Sequence, residues 1–167
     1  SWINTDSKHI CDLAILCEAT WLPDVPAKFC YQAQCDFNYL EVRHLDGDVK
    51  ISSKGLNIAG MTYSAVVIDS VSFVPPKAGR MLRKLARNGH LIVNARSFAA
   101  SKYKGALVYH NHEDMITAIR KISKTDLALG PGSEDIRLRQ VEKDGDSYFI
   151  LFNEGHAGLK TAVSLAA

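Results

Sequence analysis

Apolar positions along this chain change their spacing several times, and each spacing predicts a different element. "DLAILCEA" (12–19) is a short continuous apolar run. Such a run suits a strand covered on both faces, as in a parallel sheet. Beyond Pro23 and Pro26, the residues Ala27, Cys30, Tyr31 and Gln34 recur at helical spacing and predict a helix of about three turns. "FNYLEVRHL" (37–45) holds a second strand. Val49 and Ile51 then alternate, "SSKG" supplies a turn, and Leu56 and Ile58 alternate again, which predicts a small β-hairpin or arm. "SAVVID" (64–69) is another fully apolar strand.

Met81, Leu82, Leu85 and Ala86 form one apolar helix face, opposite Arg80, Arg83, Lys84 and Arg87. Asn88-Gly89 predicts its left-handed end. "HLIVNA" follows as a strand, and "GALVYH" (105–110) as one more. "EDMITAIRKIS" (113–123) has helical periodicity, with acids first and bases last, the order that complements the helix dipole. "LGPGSED" (129–135) reads as a linker. After it the period becomes two: Ile136 and Leu138 face one way, Arg137 and Arg139 the other, and Asp144-Gly145-Asp146 is a turn. Residues 1–130 therefore predict an α/β domain with a parallel sheet and helices on both faces. Residues 134–167 predict the opening strands of a β-sandwich, a short C-terminal antiparallel segment.

Composition narrows the classes. A hydrophobic share of 47% and a charged share of 23% are those of a folded globular chain. A net charge of +2 argues against nucleic acid as a partner. No apolar run approaches the roughly 18–20 residues of a membrane helix, so no membrane partner is expected. The chain opens on Ser1 and stops at "KTAVSLAA" within an alternating pattern, so it reads as a piece of a longer parent. The compartment stays open, a periplasmic or secreted parent included. Cys11, Cys17, Cys30 and Cys35 follow C-x5-C-x12-C-x4-C, with no C-x2-C pair for zinc. Buried small hydrophobes are one reading of them, and a helix–strand disulfide the other.

In an open parallel sheet, ligands bind beyond the carboxyl ends of the strands. The candidate ligand-binding residues there are Glu18, Asp69 and Arg96. A carboxylate at Glu18 or Asp69 suits a hydroxyl-rich ligand or a metal; a loop or helix cap is the competing reading for both. Ser97 stands where a nucleophile elbow would be, but "NARSF" has neither glycine of G-x-S-x-G. His110 and His112 make an H-x-H pair at a strand-to-helix junction, where helix-start residues explain Asn111, Glu113 and Asp114. "DGD" at 46–48 and at 144–146 reads as hairpin turns rather than a calcium loop. No metal site is expected. No Walker A or G-x-G-x-x-G motif occurs, so no cofactor is expected. Tyr63, Trp21 and Tyr103 are candidate stacking faces for a sugar.

"DLAILCEA", "FNYLEV" and "YSAVVIDSVSFVPPKAGRMLRKLARNGHLIV" resemble the class I glutamine amidotransferase-like, flavodoxin-like domain embedded in large bacterial glycoside hydrolases. The β-galactosidase trimerisation domain has the same outline. "DIRLRQVEKDGDSYFILFNEG" resembles the segment that follows such domains in proteins related to α-L-rhamnosidases. The resemblance implies a flavodoxin-like three-layer fold. It also implies a non-catalytic structural or interaction module of a carbohydrate-active enzyme, because the matched elbow, Asn94 to Ser97, has no cysteine. Other domains of the parent chain, a homo-oligomer and a carbohydrate are the implied partners. A carbohydrate-binding module, and a degenerate amidotransferase or hydrolase using Ser97, are the alternatives.

Overall fold

The computed structural model describes residues 2–123 and 126–165. Ser1, Ala166 and Ala167, part of the basis for expecting a cut chain, lie outside the described residues. After a 3-10 turn at Trp2–Asn4, the chain forms β1 (Lys8–Ile10), β2 (Leu13–Cys17), α1 (Asp24–Gln32) and β3 (Asn38–Glu41). A second 3-10 turn, Val42–Asp46, leads into β4 (Val49–Ser52), β5 (Gly55–Ile58) and β6 (Met61–Tyr63). Next come β7 (Ala65–Ile68), α2 (Pro76–Arg87), β8 (Leu91–Asn94), α3 (Ala99–Lys102), β9 (Leu107–Tyr109) and α4 (His112–Ile122). The chain ends with β10 (Leu127–Leu129), β11 (Ile136–Lys143), β12 (Asp146–Asn153) and β13 (Val163–Leu165).

The main sheet is parallel and five-stranded, in the order β3-β2-β7-β8-β9. The apolar runs lie at its centre, and every residue of β2 and β7 is buried. Successive side chains go to opposite faces, as strand geometry requires. Ala14, Leu16, Val66 and Ile68 join one apolar cluster, and Leu13, Ile15, Ala65 and Val67 the other. The first cluster takes Ala78, Leu82 and Leu85 from α2, but also Leu45 of the 3-10 turn and Val49, Leu56 and Tyr63 of the arm. The second takes Cys30 of α1 and Met115 and Ile119 of α4.

The expected fold class needs correction. The chain does not form a flavodoxin-like three-layer parallel sheet with helices on both faces and one short antiparallel piece. It is mixed α/β, with thirteen strands and four helices among the described residues. Besides the parallel sheet there are three antiparallel sheets: β4-β5-β6, β1-β11-β12 and β10-β13. Two physical reasons account for the difference. The 49–63 segment packs its own apolar residues onto the core, so turn and arm share the covering of that face with helix. And β1 does not enter the parallel sheet; it pairs antiparallel with β11, His9 opposite Val141.

Local chemistry explains most element ends. Helix α2 begins with proline in its first turn and ends with Gly89 N–H donating to Ala86 O and His90 N–H to Leu85 O, both bonds of a Schellman motif. The Asn111 side chain caps α4, accepting from Asp114 N–H at 2.8 Å. The two "DGD" segments differ. Asp144 and Gly145 both have positive φ, the two-residue type I′ hairpin expected between β11 and β12. Residues 46–48 do not make a hairpin. Asp46 closes the 3-10 turn, and its carboxylate accepts from Ala78 N–H of α2 at 3.0 Å. All four cysteines are free and buried.

Gly55 shows how closely the strands β5 and β6 of the arm approach each other. Its φ is +121°, and a Cβ built on it would lie 2.1 Å from the Tyr63 carbonyl oxygen. Gly55→Ala is expected to destabilise the protein by at least about 2 kcal/mol through strain and overlap. Urea denaturation with an unchanged midpoint would refute this.

Candidate functional site

Five parallel strands end on one edge, and their exits place Glu18, Asp69, Asn94 and Tyr109 there. The chain reverses direction across the sheet between β2 and β7, where a crevice is expected. Glu18 closes it. Its Oε1 accepts from Ser72 N–H at 2.5 Å, Ser72 O–H at 2.7 Å and Phe73 N–H at 3.4 Å. Trp21, bridged to Glu18 through the backbone, donates its indole N–H to Ser70 Oγ at 3.2 Å. These bonds hold the carboxyl of Glu18 below the ordinary carboxylate range, the Ser72 hydroxyl contributing most. Glu18 therefore ties two loops together, and it does not line the cleft that contains Asp69 and Arg96.

That cleft, of about 200 Å³, lies over the ends of β7, β8 and β9. Asp69, Asn94, Arg96, Tyr109 and His110 supply its polar lining, and Val25, Pro26, Phe29 and Met115 its apolar lining. Tyr109, Asp69, Asn94 and Arg96 form one chain of bonds. Tyr109 O–H donates to Asp69 Oδ1 at 2.5 Å, and Asn94 Nδ2 donates to the same oxygen at 2.7 Å. Asn94 Oδ1 in turn accepts from Arg96 N–H at 2.9 Å. Burial, and next the bond to Asp69, push the Tyr109 hydroxyl far above its usual value, so it stays a donor. Two donors on one oxygen orient the carboxylate. Asp69 Oδ2 and the Arg96 guanidinium have no hydrogen-bond partner among the described residues.

Ser97 is spent on its own turn. Its hydroxyl donates to the Asn94 carbonyl at 2.8 Å, and no histidine or carboxylate among the described residues bonds to it. The H-x-H pair is split by the start of α4. His112 stacks on Phe29, with ring centroids 3.9 Å apart, and pairs with Glu113 at 2.7 Å. No group of three or more metal-ligating side chains occurs among the described residues. Burial raises the Cys11 thiol to about 12 and pushes Cys17, Cys30 and Cys35 upward as well. Of the proposed stacking faces, Tyr63 and Tyr103 are core residues, 5% and 1% exposed. Trp21 is exposed but is fixed by its bond to Ser70.

The sequence reading named Asp69 and Arg96, which meet in the cleft, and Glu18, which does not join them. It missed Tyr109. The signal available was a strand ending in tyrosine, but its value depends on β9 lying beside β8, with Asn94 opposite Tyr109.

A group whose folded pKa is depressed stabilises the fold above its unfolded pKa, and the effect fades as pH falls through the folded value. Wild type is therefore expected to exceed Glu18→Gln in urea midpoint at pH 7, and the gap to close toward pH 3. A gap that persists unchanged at pH 3 would show that the carboxylate charge is not what braces the loops.

No protein-family model matches this chain, and comparisons with curated proteins and with solved structures found no significant match.

Proposed function

We propose that the chain is a non-catalytic interaction module of a carbohydrate-active enzyme, working beside other domains of its parent. One observation carries this reading. At the exit of β8, where a nucleophile would stand, the Ser97 hydroxyl is bonded to the backbone of its own turn rather than to a base. The thiols offer no substitute, since burial holds them protonated near neutral pH. Leu151, Val163 and Leu165 of the C-terminal strands are 43%, 52% and 64% exposed, the kind of apolar surface a neighbouring domain or a second copy would cover. The link to carbohydrate enzymes rests on the resemblance of the 12–93 segments to domains embedded in glycoside hydrolases.

A fluorophosphonate probe and iodoacetamide test the reading. Intact-mass analysis at pH 7 is expected to find the folded chain unlabelled by either, with four alkylated thiols only after denaturation. Stoichiometric fluorophosphonate labelling of Ser97 would establish an enzyme instead.

The cleft favours a second reading, a small hydroxyl-rich ligand held by Asp69 and Arg96. Its specific support is the oriented carboxylate with one oxygen free. Such a ligand would raise the melting temperature, and the rise would grow with ligand concentration. Screening mono- and oligosaccharides is expected to give a rise that Asp69→Asn abolishes; a flat panel would remove this reading.

A further inference from the structure

A second concavity, of about 460 Å³, lies away from the strand exits. It runs between one face of the β11–β12 hairpin and the corner joining α1 to β3. Its volume falls within the range of small-molecule sites, and such sites favour junctions between packed units.

Most charges in this groove are already matched. Asp36 accepts from His9 Nε2 at 2.6 Å and from Phe37 N–H at 3.0 Å. Glu154 pairs with Arg137 at 2.6 Å. Arg137 also donates to the Glu134 carbonyl at 2.9 Å, and its guanidinium lies 5.2 Å from the Tyr31 ring centroid. Two groups are left over. Arg139, on the same face of β11 as Arg137, is exposed and has no hydrogen bond or ion pair among the described residues. Phe152 stands directly across from Arg137, is 62% exposed, and makes no ring or cation contact among the described residues.

A free guanidinium and a free aromatic ring on one face of a groove define complementary demands. The guanidinium fork suits a planar carboxylate bound through two hydrogen bonds. The ring suits a flat apolar face that takes its surface out of water. A pyranose uronate has both, a carboxylate at one edge and a face of C–H groups. The groove is open, so an extended chain can pass along it.

We propose that this groove binds an acidic oligosaccharide, with a uronate carboxylate on Arg139 and a sugar face on Phe152. The proposal rests on the reading of the chain as a carbohydrate-enzyme module, but it assigns a site separate from the Asp69 cleft.

Calorimetric titration with oligogalacturonate, against a neutral galacto-oligosaccharide of equal length, is the test. The acidic oligomer is expected to bind and the neutral one to bind at least about tenfold more weakly. Arg139→Gln and Phe152→Ala are each expected to weaken the acidic oligomer about tenfold. Both side chains are exposed, so both variants should keep the wild-type melting temperature; Arg139→Lys, which keeps charge but loses the fork, should fall between. The same comparisons are made in an Asp69→Asn background, which removes the strand-exit cleft as a sugar site, and the preference for the acidic oligomer should persist there. Equal binding of the neutral oligomer, or wild-type binding by both groove variants, overturns the proposal. Binding lost in Asp69→Asn but kept in Arg139→Gln overturns this groove while retaining the carbohydrate reading. No binding of either oligomer also overturns it, and leaves the non-catalytic reading to the labelling experiment.

Discussion

The buried ladder of β2, β7 and β8 is the constraint on which the rest depends. Leu13 to Cys17, Ala65 to Ile68 and Leu91 to Val93 are all buried, so these strands have no wet face. Their backbone groups must then be satisfied within the sheet, and parallel pairing does so, Ile15 beside Val67 and Val67 beside Ile92. A one-residue slip would exchange the apolar sets of the two clusters and break both packings at once. With the register locked, the polar residue that ends or directly follows each strand is locked too. Glu18, Asp69, Asn94 and Tyr109 reach one edge for that reason.

A few specific bonds position the antiparallel β1-β11-β12 part. Gln34, at the end of α1 and with a positive φ of 53°, donates to the carbonyls of Ser133 and Ile136. Lys143 is buried, and its ammonium donates to the backbone oxygens of Trp2 and Thr5 while lying 4.6 Å from the Trp2 ring centroid. The stem is covered and the charge is met by carbonyls, an economical way to bury a lysine. Gln34 thus ties the end of α1 to the 133–136 segment leading into β11, and Lys143 ties the far end of β11 to the segment before β1.

Polar residues at the strand exits divide their work. Glu18 saturates one oxygen on the next loop and closes the crevice at the chain reversal. Asp69 has one oxygen held and the other open. The same residue type in equivalent sequence settings, an acid directly after an apolar strand, thus gives a brace in one case and a presented carboxylate in the other. Ser70 and Ser72 make the difference, since they lie within reach of the β2–α1 loop and supply its hydroxyl partners.

What the sequence alone determined was local. The continuous apolar runs specified buried parallel strands, the helix periods of 76–87 and 112–122 specified amphipathic helices, and Asp144-Gly145 specified the hairpin, because each follows from spacing and backbone preference over a few residues. Asp69 and Arg96 were readable as strand-exit residues on the same ground. Tertiary structure decided the rest. It placed β1 on β11 across more than a hundred residues, turned the 49–63 segment into part of the core covering, joined Tyr109 to Asp69, and buried Tyr63 and Tyr103. Each of these depends on which strand lies beside which and on what covers an apolar face, and no local pattern encodes a neighbour that distant in the chain.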